Sequence, residues 1–536
     1  VIEVAPIIDA PEVPYWQWRC LKELQVQSAV EISKIYVPDS KPESHNKSLA
    51  TRLLNFYTRK VNRVPDFRPE DIRDYIAEDK IVSLQTSPGE NGHTITAKEK
   101  KEIEQENHDV LLLLSRLAFN PEIDSLARHG AWLPSPLEQS ICRGVPPGFW
   151  EIYQDQPATA VWLRRLGGEG EVLRTSSLKT KNDSYVRQLN RVVHEAMSLP
   201  RLCCQSLKNA NDRSEVELKT PHGNQPPGLL HLLVFIFVLL KNRLKETYRR
   251  LFCREIWNIA VLRKPPAELM NNRVLNFEWN NEEMQKEFRA DPFGVEFNGK
   301  LRIVYETLGE KQKGYLTATE FDGKWSTSEQ KVLQKEFHLS YPFLLEKTGQ
   351  YYCLPEQAEN RRVAAYEFHP GELQLGEPRV LIDDVAAVDP TIFKYKNYWW
   401  LAFTDGIKGP SSWLHLWYAD DIFETWQPHG LNPVKMDVRS ARPAGTPFHH
   451  QGKLYRPAQD CSETYGGRVV FNEILELTPE KFKEQVVGQL SPDKAGDYPD
   501  GLHTISAVDG YTLVDGKKYV FDWNHFFTGC RKQMGI

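Results

Sequence analysis

The sequence predicts two folds in one chain: an N-terminal α/β domain of Rossmann type and a C-terminal all-β propeller of five blades. Two observations predict them. Over the first 200 or so residues, short apolar runs alternate with helical stretches. After residue 290, five short motifs recur roughly 50 to 60 residues apart, the spacing of propeller blades.

In the first part, VIEVAPIID reads as a strand, WQWRCLKELQVQSAVEI as a helix and SKIYVPD as a strand. HDVLLLLSRL and ATAVWLRRL read as buried strands. Strands alternating with helices build a largely parallel sheet with helices on its faces. This domain is placed at 1–200, a connector at 201–255 and the propeller at 256–536.

The recurring motifs are ADPF at Asp291, SYPF at Tyr341, VDPT at Asp389, ARPA at Arg442 and LHTI at His503. Each leads into a strand, a tight turn and a second strand. The turns fall at Asn298-Gly299, Thr348-Gly349, Lys396-Asn397, Gln451-Gly452 and Asp509-Gly510. Such pairs supply the positive φ angles that two-residue hairpins need. The strands after them (LRIVYE, QYYCLP, YWWLAF, KLYRPA, YTLVDG) are rich in aromatic and β-branched residues. WNIAVL (257–262) and KYVFDW (518–523) are expected to share one blade and lock the ring. A β-sandwich would not give five equally placed motifs.

The connector holds a polar stretch, NANDRSEVELKTPHGNQPPG, and then the apolar run Leu229 to Leu240, LLHLLVFIFVLL. That run is shorter than the ~20 residues a spanning helix needs. Lys241, Arg243, Lys245, Arg249, Arg250 and Arg254 follow it. Two readings stand: a helix buried between domains, which the length favours, or a peripheral membrane contact through 229–254.

The formal net charge of -5 and pI of about 6.4 exclude nucleic acid as the main partner. The 8 cysteines show no CxxC pair and no zinc-ligand spacing. They read as reduced thiols of a cytoplasmic protein, membrane-associated if the helix lies in an interface. VIEVAPIIDA lacks a basic region followed by an apolar run, so no signal peptide is read there.

A motif at the start of each innermost strand projects side chains into one axial funnel. That funnel is expected to collect Asp291, Tyr341, Asp389, Arg442 and His503, with Glu306, Glu356, Arg456, Gln459 and Asp460 nearby. Converging carboxylates suit acid/base work on a glycosidic bond, because close like charges raise one pKa. Arg439, Arg442 and Arg456 sit around one blade, and guanidinium forks bind phosphate or carboxylate. An anionic ligand is one reading of them; structural pairs with Asp437 and Asp460 are the other. His503 reads as a hydrogen-bonded core histidine, so neither metal nor cofactor is expected.

The ADPF and VDPT motifs resemble the superfamily of family-43 glycoside hydrolases, invertases and levansucrases over roughly 255–525. That resemblance implies base or nucleophile for Asp291 and an orienting carboxylate for Asp389. Those enzymes open blade four with a general-acid glutamate; this chain has Arg442, so Glu356 or Asp460 would have to act instead. VDPTIFKYKNYWWLAFTD, LHLWYADDIFETWQPH, VRSARPAGTPFHHQGKLYRPAQDCSETYGG and GLHTISAVDG resemble the N-terminal propeller region of plant glucosamine inositolphosphorylceramide transferases. This implies a glycan or glycolipid setting. HDVLLLLSRLAF, ARHGAW, RGVPPGFWEIYQDQPATAVWLRRL and EGEVL are similar to the methionyl-tRNA and sugar N-formyltransferases over roughly 105–175. Active members carry an Asn-x-His and a later aspartate. Here LPSPLEQS stands in the first place, and Gly168 and Glu169 in the second, which implies a degenerate scaffold.

The expected function is binding and processing of an anionic sugar substrate in the funnel, by glycoside hydrolysis or glycosyl transfer. Asp291, Asp389, Glu356 and Asp460 are the catalytic candidates; Tyr341, Arg439, Arg442, Arg456, Gln459 and His503 are the binding candidates. The alternatives are a non-catalytic glycan-binding or scaffolding protein and, more weakly, a sugar N-formyltransferase.

Overall fold

The computed structural model describes residues 1–26, 29–41, 48–58, 65–142, 147–167, 171–208, 226–270, 276–280, 288–309 and 313–523. The chain divides into two units, Val1–Glu246 and Thr247–Ile536.

The first unit is built on an eight-stranded mixed sheet. Its order is Val172–Lys179, Ala158–Arg165, Ala131–Pro134, Val110–Leu113, Ile2–Ile7, Ile35–Pro38, Ile81–Leu84, with Val30–Ile32 also paired to Ile2–Ile7. The last five of that order run parallel, and the first two form an antiparallel edge. Val110–Leu113 is buried at every residue, as a strand covered on both faces must be. Between the sheet and the propeller, the chain forms two long helices. Residues through Lys208 complete the helix Tyr185–Lys208, and the apolar run continues as the helix Leu229–Phe252. Gly168 and Glu169 lie outside the described residues.

The second unit is a five-bladed β-propeller. In chain order, blade one starts with Phe288–Phe297, blade two with Ser340–Lys347, blade three with Ala387–Tyr395 and blade four with Phe448–His450. Blade five starts with Ile505–Val508, which pairs with Tyr511–Phe521. Its third strand is Cys253–Leu262, antiparallel to Tyr511–Phe521 from Cys253↔Phe521 to Leu262↔Thr512. Distant segments of the unit thus share one sheet, which closes the ring.

Apolar seams run all the way round. Phe293, Tyr341, Phe343, Leu354, Ile392 and Phe403 join blades one to three. Phe393, Trp400, Leu454 and Ile474 join three to four; Phe448, Phe471, Ile505 and Val514 join four to five. Ile259, Val261, Ile303, Tyr305 and Leu513 join five to one. The five expected hairpin turns form, with positive φ at Asn298, Thr348, Lys396, Gln451 and Asp509.

Candidate functional site at the propeller axis

Three blades aim their first side chain by the same device. Asp291, Tyr341 and Asp389 have φ of 53°, 45° and 51°, each immediately before a proline. Each sits in a β-bulge: between Ala290 and Phe293, Ser340 and Phe343, and Val388 and Thr391. A bulge re-aims a side chain, and left-handed backbone at a non-glycine residue stores strain. Blade four uses Gly445 instead, at φ 112°, where a Cβ would run into the Ile505 carbonyl oxygen.

Two charged groups result. In the first, Asp389 accepts from Arg442 Nε at 2.6 Å and Nη2 at 3.1 Å, and from Gln459 Nε2 at 2.7 Å. Its own N–H donates to Glu356 Oε2 at 3.1 Å. Arg442 Nη2 also reaches the Tyr465 hydroxyl at 3.3 Å. In the second, Asp515 Oδ1 accepts the backbone N–H groups of His503 (2.8 Å) and Thr504 (3.1 Å), while Oδ2 pairs with His503 Nδ1 at 2.5 Å. The Asp291 N–H donates to Asp515 Oδ2 at 3.1 Å, and Thr504 Oγ1 donates to Asp291 Oδ1 at 2.5 Å. His503 Nε2 lies 3.7 Å from Asp291 Oδ1. The imidazole packs against Trp257, with centroids 4.2 Å apart.

These groups titrate together. Burial, with Asp389 and Asp515 adding to it against His503, pushes Asp291 up to about 6. Burial, then Asp291, Glu356 and Asp389, hold Glu306 well above the usual carboxylate range. Burial and Asp389 do the same to Glu356, against the pull of Arg442. For His503, burial lowers the pKa, but Asp515 and Asp291 outweigh it and raise it. Carboxylates exceed cations here, and with burial that surplus raises Asp291, Glu306 and Glu356 together.

Asp291, His503 and Asp515 place ligand-type atoms within 4.8 Å of one another, the one such group among the described residues. A divalent ion there would compete with the proton that Asp515 and Asp291 favour on His503.

Four sequence-predicted residues are placed elsewhere. Arg456 is buried with its fork on Glu484 (3.0 and 2.6 Å) and on the carbonyls of Ser440 and Ala441. Arg439 holds Asp437 at 2.9 and 2.8 Å. Asp460 accepts from Ser462 and pairs with Arg468 at 3.4 Å. Tyr341 is fully buried, its hydroxyl bonded to Thr391 Oγ1 at 2.8 Å and accepting from Gly445 N at 2.6 Å. It pins blades two, three and four beside Asp389. The arginine cluster therefore does not form: each guanidinium answers a different carboxylate. Sequence reasoning missed Asp515 and Thr504. Asp515 sits between apolar Val514 and Gly516, in a strand first read only as the end of YTLVDG. A lone buried acid in an apolar strand was the available signal.

Residues 262–501 match the family model described as glucosamine inositolphosphorylceramide transferase 1, N-terminal. The propeller thus resembles the N-terminal region of these transferases. The glucosamine inositolphosphorylceramide transferase 1 of Arabidopsis thaliana is 31% identical over 258 residues, 45% of this chain and 34% of that protein. Its namesake from Oryza sativa subsp. japonica is 35% identical over 159 residues, 28% of this chain and 21% of that protein. The chain spans about a third or less of the curated relatives it matches. Among solved structures, an exo-beta-1,3-galactanase from Clostridium thermocellum is 12% identical, with TM-score 0.33 over 39% of this chain and 53% of that one. A family 117 glycoside hydrolase from Zobellia galactanivorans is 15% identical, with TM-score 0.31 over 50% of this chain and 91% of that one.

Proposed function

We propose that the propeller axis binds and processes a sugar-containing substrate, by glycoside hydrolysis or glycosyl transfer. The observation that carries this reading is the pairing of unlike carboxyl groups. Burial pushes Asp291 up to about 6, while burial and Asp389 hold Glu356 well above the usual carboxylate range. A base and an acid with pKa values pushed apart are what cleavage or transfer at an anomeric carbon needs. Asp291 takes the proton from water or an acceptor hydroxyl, Glu356 donates to the leaving oxygen, and Asp389, fixed by Arg442 and Gln459, orients the substrate. Asp460 drops out as the acid because Ser462 and Arg468 occupy it. The case for an anionic substrate rested on an arginine cluster, and the three guanidinium groups are committed to protein carboxylates.

The setting in glycan or glycolipid metabolism is supported by the names of the matched transferases. For the first unit, the sheet order supports the Rossmann-type part of the formyltransferase-like reading, since five parallel strands in the order 3-2-1-4-5 are five of the six of a doubly wound sheet.

A second reading, a non-catalytic glycan-binding module, is favoured by Arg442, which stands where the family-43 resemblance puts a glutamate. The test is turnover of aryl glycosides and nucleotide-sugars by wild type, Asp291→Asn and Glu356→Gln, with thermal shift in parallel. The proposal expects each substitution to lower kcat/KM by about 10²–10⁴-fold. It also expects wild-type kcat/KM to fall below pH ~6 as Asp291 protonates. Ligand-induced stabilisation without turnover in the wild type establishes the binding module instead.

A further inference from the structure

The helix Leu229–Phe252 carries apolar side chains on two faces. Leu232, Phe235 and Val238 are buried, and Phe235 stacks on Phe149 at 4.5 Å and meets Tyr185 edge-on at 5.4 Å. At ~100° per residue, Leu229, Leu233, Phe237, Leu240 and Leu244 fall on roughly the opposite face. They are 54%, 64%, 67%, 55% and 71% exposed.

A second stripe lies beside it. The helix Leu49–Phe56 exposes Leu49, Leu53 and Phe56, at 55%, 46% and 60%. Ser48 at its N-terminus donates to the Pro227 carbonyl at 2.5 Å, so the N-terminal ends of the two helices are adjacent. Scattered exposed leucines need no explanation, but a contiguous apolar patch marks an interaction surface.

Charge selects the partner. Glu246 is the only acid on the longer helix, against Lys241, Arg243, Lys245, Arg249 and Arg250. By the same angular count, Arg243 and Arg250 border one side of the stripe and Lys241 and Lys245 the other. Lys241 also reaches Asp155 at 2.8 Å. Long cationic stems flanking an apolar sector let the sector sink while the charges stay at the headgroups. No helix among the described residues is long and apolar enough to cross a membrane, so this helix would lie along the surface.

We propose that this face docks into the headgroup–acyl boundary of an anionic phospholipid bilayer. The inference is independent of the chemistry at the propeller axis. Phe252 runs directly into Cys253–Leu262 of blade five, so the docked helix would tether the propeller without a linker.

The test is co-sedimentation of the full chain with vesicles of phosphatidylcholine alone or mixed with phosphatidylserine. Binding is expected to the mixed vesicles, weakened by salt. Leu233→Glu with Phe237→Glu is expected to lower apparent affinity at least about tenfold, since it places two charges in the apolar sector. In the otherwise native chain, Phe237→Trp should add an emission, read as the difference from wild type, that blue-shifts on mixed vesicles and is quenched by brominated lipid. It decides the matter even if the double variant folds poorly. Absence of wild-type binding, or a difference emission that does not move, overturns the proposal. So does a dimer in light scattering that the double variant dissociates, which would assign the face to a second copy of this chain.

Discussion

Substituting Arg442 by Met tests whether the axial charges are arranged as described. The side chain of Arg442 is 12% exposed and that of Asp389 2%. The change removes the two hydrogen bonds to Asp389, of 2.6 and 3.1 Å, and leaves Asp389 with Gln459 as its remaining side-chain donor, beside Glu356. Breaking a buried pair by deleting one partner costs about 3–5 kcal/mol. Protonation caps the loss: raising a carboxyl pKa by about three units to escape the charge costs about 4 kcal/mol. For a unit of this size the melting temperature should fall by roughly 6–16 °C, at 2–4 °C per kcal/mol. Calorimetry on the full chain reads the propeller transition. Adding Asp389→Asn should recover at least half of the loss, because no buried charge then lacks a partner. A loss below ~1 kcal/mol, or a double variant no better than the single one, would refute the pairing argument.

Stability of the propeller should fall as pH rises from 6.5 to 8. His503, with its pKa raised, contributes stability fully present below its unfolded value and lost as pH climbs through the folded one. Glu306 and Glu356, also raised, hold protons the unfolded chain has released, which costs about 1.4 kcal/mol per pH unit for each such proton. His338 and His429 have lowered values, so their opposite contribution fades as pH rises past their unfolded value near 6.5 and weakens the slope only at the start of this window. Melting followed against pH should therefore slope downward, and Glu306→Gln should flatten it; a rising slope would contradict the assignment. Gly445→Ala places a methyl group into the Ile505 carbonyl oxygen at a φ of 112°. It should cost more than ~4 kcal/mol, read in urea unfolding, while Gly299→Ala, with open space around its Cβ, should cost far less.

The ring was legible because its signals repeat. Five motifs and five turns each predicted the same local event, and the turn residues take positive φ in every blade. Closure was legible as a shared blade, but not its register: KYVF continues the strand of YTLVDG, and WNIAVL pairs with its Thr512 to Lys517 part. The long helix was legible as apolar, but hydropathy says how much apolar surface there is, not which side is covered: Leu232, Phe235 and Val238 are the buried residues.

At the axis, sequence position revealed which residues start the innermost strands but not which way the following strand faces. Gln459 and Arg456 are three apart in the strand Lys453–Asp460, so they point to opposite faces. Gln459 reaches Asp389; Arg456 and Asp460 share the other side, where Glu484 and Arg468 await them. Parity could have been read from the sequence once one residue of the strand was assigned to the axis. The partners could not, because Asp389 meets Arg442 across 53 residues and Asp291 meets Thr504 across 213. The character of the site depends on those long-range pairs. Counted along the chain, Arg439, Arg442 and Arg456 look like a cationic cluster; counted in space, one of the three reaches the axis and it is answered by Asp389. What remains there is a surplus of carboxyl groups in a buried setting, and such a surplus can persist only by keeping protons. That surplus is the basis of the acid proposed at Glu356, and Arg442 is the cation that faces it.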